Sequence, residues 1–152
     1  TGKNNAGKTV FLRAIGIIQV FAQAGLPVPA KAATISIVSG IYSYFSAMDI
    51  GQGRFEEEVS YLSDIIEVIK KGDLILLNEV FQSTSYEEAS DALCDVLAAI
   101  SLSGARAIAV THLPHVKETM KMLEKQYNLI GPSGYAQAET VGDLNTFKII
   151  YE

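Results

Sequence analysis

The sequence predicts an α/β fold: a mostly parallel central sheet flanked by helices, with a C-terminal β-hairpin. Three observations predict it. Apolar runs of strand length alternate with longer stretches of helical period. Two of those runs, "DLILLNEV" and "ARAIAVTH", are apolar without alternation, as strands covered on both faces are. The chain also opens on a glycine-rich turn, "TGKNNAGKT", that leads directly into a helical pattern.

The elements follow in order. From Thr9 to about Ala24, Phe11, Leu12, Ile15, Ile18 and the Phe21-Ala22 pair make the apolar face of a first helix. "LPVPAKAATISIVSGIYSYF" is rich in Pro, Gly and β-branched residues and reads as loop and strand. "FEEEVSYLSDIIEVIKKG" is a second helix, with acids at its start, two lysines at its end and Gly72 as the stop. "DLILLNEV" is the first of the two buried strands. "STSYEEASDALCDVLAAISLSG" is a third helix, with Ser85 and Glu88 at capping-box spacing and Gly104 just past its end. "ARAIAVTH" is the second buried strand, "LPHVKETMKMLEKQ" a fourth helix, and "YAQAETVGDLNTFKIIYE" two strands around a Gly-Asp turn.

Bulk properties narrow the function. The 152 residues suit one domain, 1–152, large enough to bury a core. With 49% hydrophobic and 19% charged residues and no low-complexity tract, the chain is globular and not disordered. A net charge of -5 makes a poor nucleic-acid surface, so any DNA contact is expected from domains outside this chain. One cysteine, Cys94, excludes an internal disulfide; it reads as a buried small hydrophobe in a reducing compartment. The early apolar run is broken by Gln19, Gln23 and Gly25 and ended by Pro27 and Pro29, too short and polar to cross a bilayer. A cytoplasmic protein is expected. A turn such as the one at Thr1 normally follows a buried strand, so the chain reads as a fragment of a longer protein.

Gly2-Lys3-Asn4-Asn5-Ala6-Gly7-Lys8-Thr9 fits the phosphate-loop pattern G-x-x-x-x-G-K-S/T without a gap. Its glycines let backbone N–H groups curl around a phosphate, with Gly2, Asn4, Asn5, Ala6 and Gly7 as the cradle. Lys8 reaches the terminal phosphates, the Thr9 hydroxyl ligates magnesium, and the helix behind adds its positive end. The bland alternative is a Gly/Asn-rich surface turn, but by average composition the pattern arises by chance in only roughly 1% of chains this long. A P-loop NTPase with ATP and Mg2+ is the reading. Asn78-Glu79 and Thr111-His112 each end a buried strand, where such a sheet carries its chemistry. Glu79 is the candidate base for an attacking water, and His112 a candidate partner of the γ-phosphate. Asn78 can meet the metal side through its carbonyl oxygen, though it lacks the charge that hard cations favour. Asn78 as a turn cap and His112 as a structural histidine are the alternatives. His115 and the acidic run Glu56-Glu57-Glu58 read as solvated, the latter capping its helix, with the alternative that one of the three acids does more.

These elements in this order resemble the ATPase domain of the MutS family, the mismatch-repair branch of the ABC-type ATPases. The likeness covers nearly the whole chain. "FLR" after the phosphate loop and "GLPVPA" after the first helix lie outside the generic motif and discriminate this family from others. "DIGQGRFEEE" resembles its signature stretch, with the Phe at Phe55 and a Glu three residues after it at Glu58. "LILLNEVFQSTS" resembles its metal and base strand, "AVTH" its strand-end Thr-His, and "NTFKIIYE" its last hairpin. Four departures stand out. Asn78 replaces an Asp, Gly53 takes the place of the signature Ser, Gln82-Ser83 replace Arg-Gly, and Lys3 replaces a proline. The resemblance implies ATP sandwiched in a homodimer, or in a MutS-like heterodimer, with DNA handled elsewhere and no membrane.

Three functions compete at this stage: a slow ATPase engine, a nucleotide-binding switch favoured by Asn78 and Gly53, and a degenerate scaffold. The intact Lys8-Thr9 pair argues against the scaffold. A small-molecule kinase needs a lid or acceptor site that the sequence lacks. Slow hydrolysis with Glu79 as base is the preferred reading.

Overall fold

A computed structural model describes residues 7–45, 54–129, 134–141 and 144–151. Its elements are α1 (Lys8–Gln23), β1 (Ile41–Phe45), α2 (Arg54–Val68), β2 (Leu74–Asn78), α3 (Tyr86–Leu102), β3 (Arg106–Val110), α4 (Val116–Tyr127), β4 (Ala136–Val141) and β5 (Leu144–Tyr151). β1, β2 and β3 form a parallel sheet in that order, and β4 pairs antiparallel with β5. The mixed α/β architecture with a C-terminal hairpin is thus the one the alternation predicts. The Gly142-Asp143 turn of that hairpin lies outside the described residues.

β2 organises the core. All five of its residues are buried, and their two faces serve different layers. Leu74 and Leu76 pack with Leu12 of α1, Val38 and Val110. Ile75 and Leu77 pack with Leu62 and Ile65 of α2, Leu93 and Cys94 of α3, and Met120 of α4. Successive strand side chains point to opposite faces, so an unbroken apolar run can feed two layers at once.

α1 meets the sheet along a stripe that keeps Leu12 and Ile15 of the predicted face but leaves out its phenylalanines. Phe11 and Phe21 are exposed, while Leu12 and Gln19 are buried. Leu12, Gly16 and Gln19 follow i, i+4, i+7 spacing, and Gly16 is where helix and strand approach most closely. A Cβ there would come within 2.8 Å of the Leu76 side chain. The glutamines that break the apolar run tie down the following loop. Gln19 Nε2 donates to the Ser36 carbonyl at 2.8 Å, and Gln23 Oε1 accepts from the Val38 N–H at 2.7 Å.

Boundaries differ where side chains intervene. α2 ends at Val68, before the two lysines, because the Asp73 carboxylate accepts the Lys70 N–H at 2.8 Å and closes a turn through Gly72. α3 begins as expected, with Ser85 Oγ accepting from the Glu88 N–H, and Gly104 follows it at φ +78°. α4 starts three residues later than predicted, since Pro114 and the left-handed His115 precede it. β3 is only half-enclosed: Arg106 is exposed and Val110 alone is buried. Among the described residues it pairs with β2 only, so its other edge carries no strand.

Candidate functional site

The site lies where the carboxyl ends of β2 and β3 face the start of α1. Gly7 precedes the helix at φ 80°, a left-handed geometry that glycine adopts without strain. It has no side chain with which to cap the first turn. Lys8 and Thr9 then enter the helix beside the strand ends. Gly2, Asn4, Asn5 and Ala6 of the phosphate-loop pattern, with Lys3, lie outside the described residues, as does Gly53.

The remaining predicted residues converge. The Thr9 hydroxyl donates to Asn78 Oδ1 at 2.9 Å, joining the two candidate metal-side groups. Lys8 Nζ lies 3.8 Å from Glu79 Oε1, with the two side chains only 9% and 16% exposed, so solvent screens this pair little. Glu79 Oε2 is 2.5 Å from His112 Nδ1 and accepts from Gln82 Nε2 at 3.0 Å. A Glu79 carboxylate accepts a hydrogen bond from Nδ1–H, which fixes the imidazole tautomer and leaves Nε2 for another partner. The Tyr86 ring meets that imidazole edge-on at 6.0 Å. Thr111 turns inward instead: its hydroxyl accepts the Leu113 N–H at 3.0 Å and caps the turn after β3. His115 is exposed, as expected.

Glu79 owes its position to an unusual backbone. It sits at φ 51°, and Phe81, two residues on, at φ 62°. Residues with side chains pay on the order of 1–3 kcal/mol for such conformations, so surrounding contacts must hold them. The Glu79 N–H donates to the Val110 carbonyl at 2.8 Å. The Phe81 ring is buried against Phe55, with centroids 5.4 Å apart.

The third contact is Glu58, the one member of the acidic run that does more than cap its helix. Glu56 and Glu57 are exposed, but Glu58 is 2% exposed. Its Oε2 accepts the Phe81 N–H at 2.6 Å and its Oε1 accepts the Tyr44 hydroxyl at 3.1 Å. Arg54 Nε stands 3.7 Å from Oε1. Burial, followed by the Glu58 charge, raises the pKa of the Tyr44 phenol and keeps its proton in place to donate. The signal was present in the periodicity, because Glu58, Leu62 and Ile65 share the buried face of α2 at i, i+4, i+7.

Polar groups gathered at the carboxyl ends of parallel strands, beside a helix start, stand at the edge where α/β sheets in general handle ligands. The chain belongs to the MutS domain V family, whose model matches residues 1–138. It is 32% identical over 126 residues to an endonuclease MutS2 of Streptococcus equi subsp. equi, covering 77% of this chain and 16% of that protein. To a DNA mismatch repair protein MutS of Synechocystis it is 34% identical over 134 residues, 84% of this chain and 15% of the other. A MutS of Granulibacter bethesdensis gives 39% over 116 residues, 74% and 12%. The chain thus spans about one-sixth or less of the length of these relatives. No described helix is long and apolar enough to cross a membrane.

Proposed function

We propose that this chain is a P-loop, ABC-type ATPase domain that binds ATP with magnesium and hydrolyses it slowly. It serves a MutS-like protein that acts in DNA mismatch repair or related DNA processing. The observation that carries the reading is the placement of Glu79 between Lys8 and His112 at the end of β2. A carboxylate so held is a base beside a cation, next to a helix start with no side-chain cap, which is the arrangement phosphate hydrolysis needs.

Each residue then has a task. Lys8 exchanges its contact with Glu79 for the terminal phosphates, and Glu79, released, takes the proton of the attacking water. His112 stays in register on Glu79 through Nδ1 and offers Nε2 to the γ-phosphate. Thr9 and Asn78 are the residues that would hold magnesium. Their two oxygens already face each other, so they fit an ion that draws most of its compensating charge from the phosphates. Magnesium supplies charge neutralisation at those phosphates. Asn78 brings no negative charge of its own, and this is the reason turnover is slow. Partners follow from the family: a second ATPase domain closing on the nucleotide in a homodimer or MutS-like heterodimer, and DNA bound by parts of the protein beyond this chain.

The test is magnesium-dependent ATP turnover by the full-length parent protein, with Glu79→Gln as control. Loss of a general base costs roughly 10²–10⁴-fold in rate. A Glu79→Gln protein that turns over ATP like the wild type would remove Glu79 from the mechanism. Absent turnover, with ATP binding that fails in Lys8→Ala, supports the second reading: a nucleotide-holding switch. The neutral Asn78–Thr9 contact favours that alternative.

A further inference from the structure

We propose that Glu58 is a positioning residue for Glu79, holding the turn that aims the base without touching the reacting groups. The inference rests on the ATPase reading above and gives a task to the acid that stands three residues after Phe55 in the signature stretch. Three facts support it. Glu58 is almost wholly buried, yet it carries a carboxylate, which is retained inside a protein only where it is well partnered. One carboxylate oxygen accepts the Phe81 N–H at 2.6 Å, a charge-assisted bond to the backbone of the turn that starts at Glu79. The other oxygen accepts from Tyr44 of β1 and faces Arg54 of α2, so the carboxylate is itself fixed from two elements.

The turn needs such a hold. Glu79 and Phe81 both lie in the left-handed region, where residues with side chains are uncommon. The Val110 carbonyl secures the beginning of the turn and Glu58 its end. With Glu58 neutralised, the Phe81 N–H keeps only a weaker acceptor, and the turn relaxes toward ordinary backbone angles. Glu79 then swings away from Lys8 and His112. ATP binding, which depends on the start of α1, is left alone.

The experiment uses the full-length parent protein, comparing wild type, Glu58→Gln, Tyr44→Phe and Glu79→Gln. ATP turnover, binding of a fluorescent ATP analogue, and the exchange of the Phe81 amide are measured on each. The expected result for Glu58→Gln is a fall in kcat of about tenfold, with KM and analogue affinity unchanged within about twofold, and faster Phe81 exchange. Tyr44→Phe, which loosens the carboxylate without removing it, lowers kcat by about threefold with the same split. A merely structural role would lower the melting temperature and the active fraction while leaving kcat and KM of the folded protein as they are. That outcome, or wild-type kcat in Glu58→Gln, overturns the proposal. If Glu58→Gln does not fold, an unchanged kcat in Tyr44→Phe overturns it instead. Wild-type turnover that is absent, or that survives Glu79→Gln, overturns the ATPase reading itself and the positioning role with it. Turnover lost in Glu79→Gln but intact in Glu58→Gln sinks only the present proposal.

Discussion

β2 and β3 are five-residue parallel strands of similar apolar character, and they live in different surroundings. Every residue of β2 is buried, whereas β3 runs from an exposed Arg106 through half-buried alanines and Ile108 to a buried Val110. β2 has a strand on each side, and β3 has one among the described residues. Beyond its other edge lies a cavity of about 620 Å³, lined by Val10, Phe11 and Ile15 of α1, by Ala109, and by Ala138 and Ile149 of the hairpin. An apolar run therefore records that a strand can be enclosed. Whether it is enclosed depends on its place in the strand order, which side-chain chemistry does not encode.

The strand ends offer the sharpest way to break that comparison. Glu79 leaves the enclosed strand and is held by four partners, while His112 leaves the open one and is a third exposed. Where Glu79→Gln removes the base, His112→Ala is expected to cost only about tenfold in kcat, since Gln82 and the Val110 carbonyl still hold Glu79 in place. Equal losses in steady-state turnover would mean that the two ends act as one unit. The strands themselves come next. Leu77→Ala opens a cavity in the fully packed layer and is expected to cost roughly 2–5 kcal/mol in urea unfolding. Ile108→Ala is expected to cost less than half as much, because part of its surface is already bare. Comparable values would show that β3 is as well enclosed as β2.

A smaller effect is expected at the last residue of β2. Asn78→Asp adds an anionic oxygen opposite Thr9, so half-maximal turnover should need several-fold less magnesium. An unchanged magnesium requirement would separate Asn78 from the metal. The smallest effect concerns Cys94, on the buried face of α3. Burial, with Asp91 and Asp95 nearby, pushes its thiol up from 9.0 to about 11. The folded protein keeps this proton while the unfolded chain releases it, so unfolding binds fewer protons than folding between those values. The stability from the neutral thiol is thus full below about pH 9 and is lost as pH rises toward about 11. Urea melts at the two ends of that window should show a decline that Cys94→Ala lessens, and alkylation at pH 8 should require unfolding.

Much of this molecule was legible in its residues. Helix starts and stops are local: Ser85 caps α3 and Gly104 follows it, because a side-chain oxygen and a left-handed turn act within a few residues. The meeting of Lys8, Thr9, Asn78, Glu79 and His112 was readable too, since motif spacing and strand ends single out those positions. What stayed hidden depended on partners far along the chain. The buried stripe of α1 runs through Gly16 and Gln19 in place of two phenylalanines, because a close approach to Leu76 and a loop carbonyl at Ser36 select it. The signature stretch marks Glu58 in the sequence, but its burial and its bonds to Phe81 and Tyr44 are visible only in the fold. The sequence by itself determined which segments form helices and strands and which side chains can do chemistry, for those are properties of short stretches. Only the tertiary structure decided which apolar strand is enclosed, and which carboxylate sits in water and which in the core. Burial and hydrogen bonding to distant backbone arise between segments, from contacts that no single segment contains.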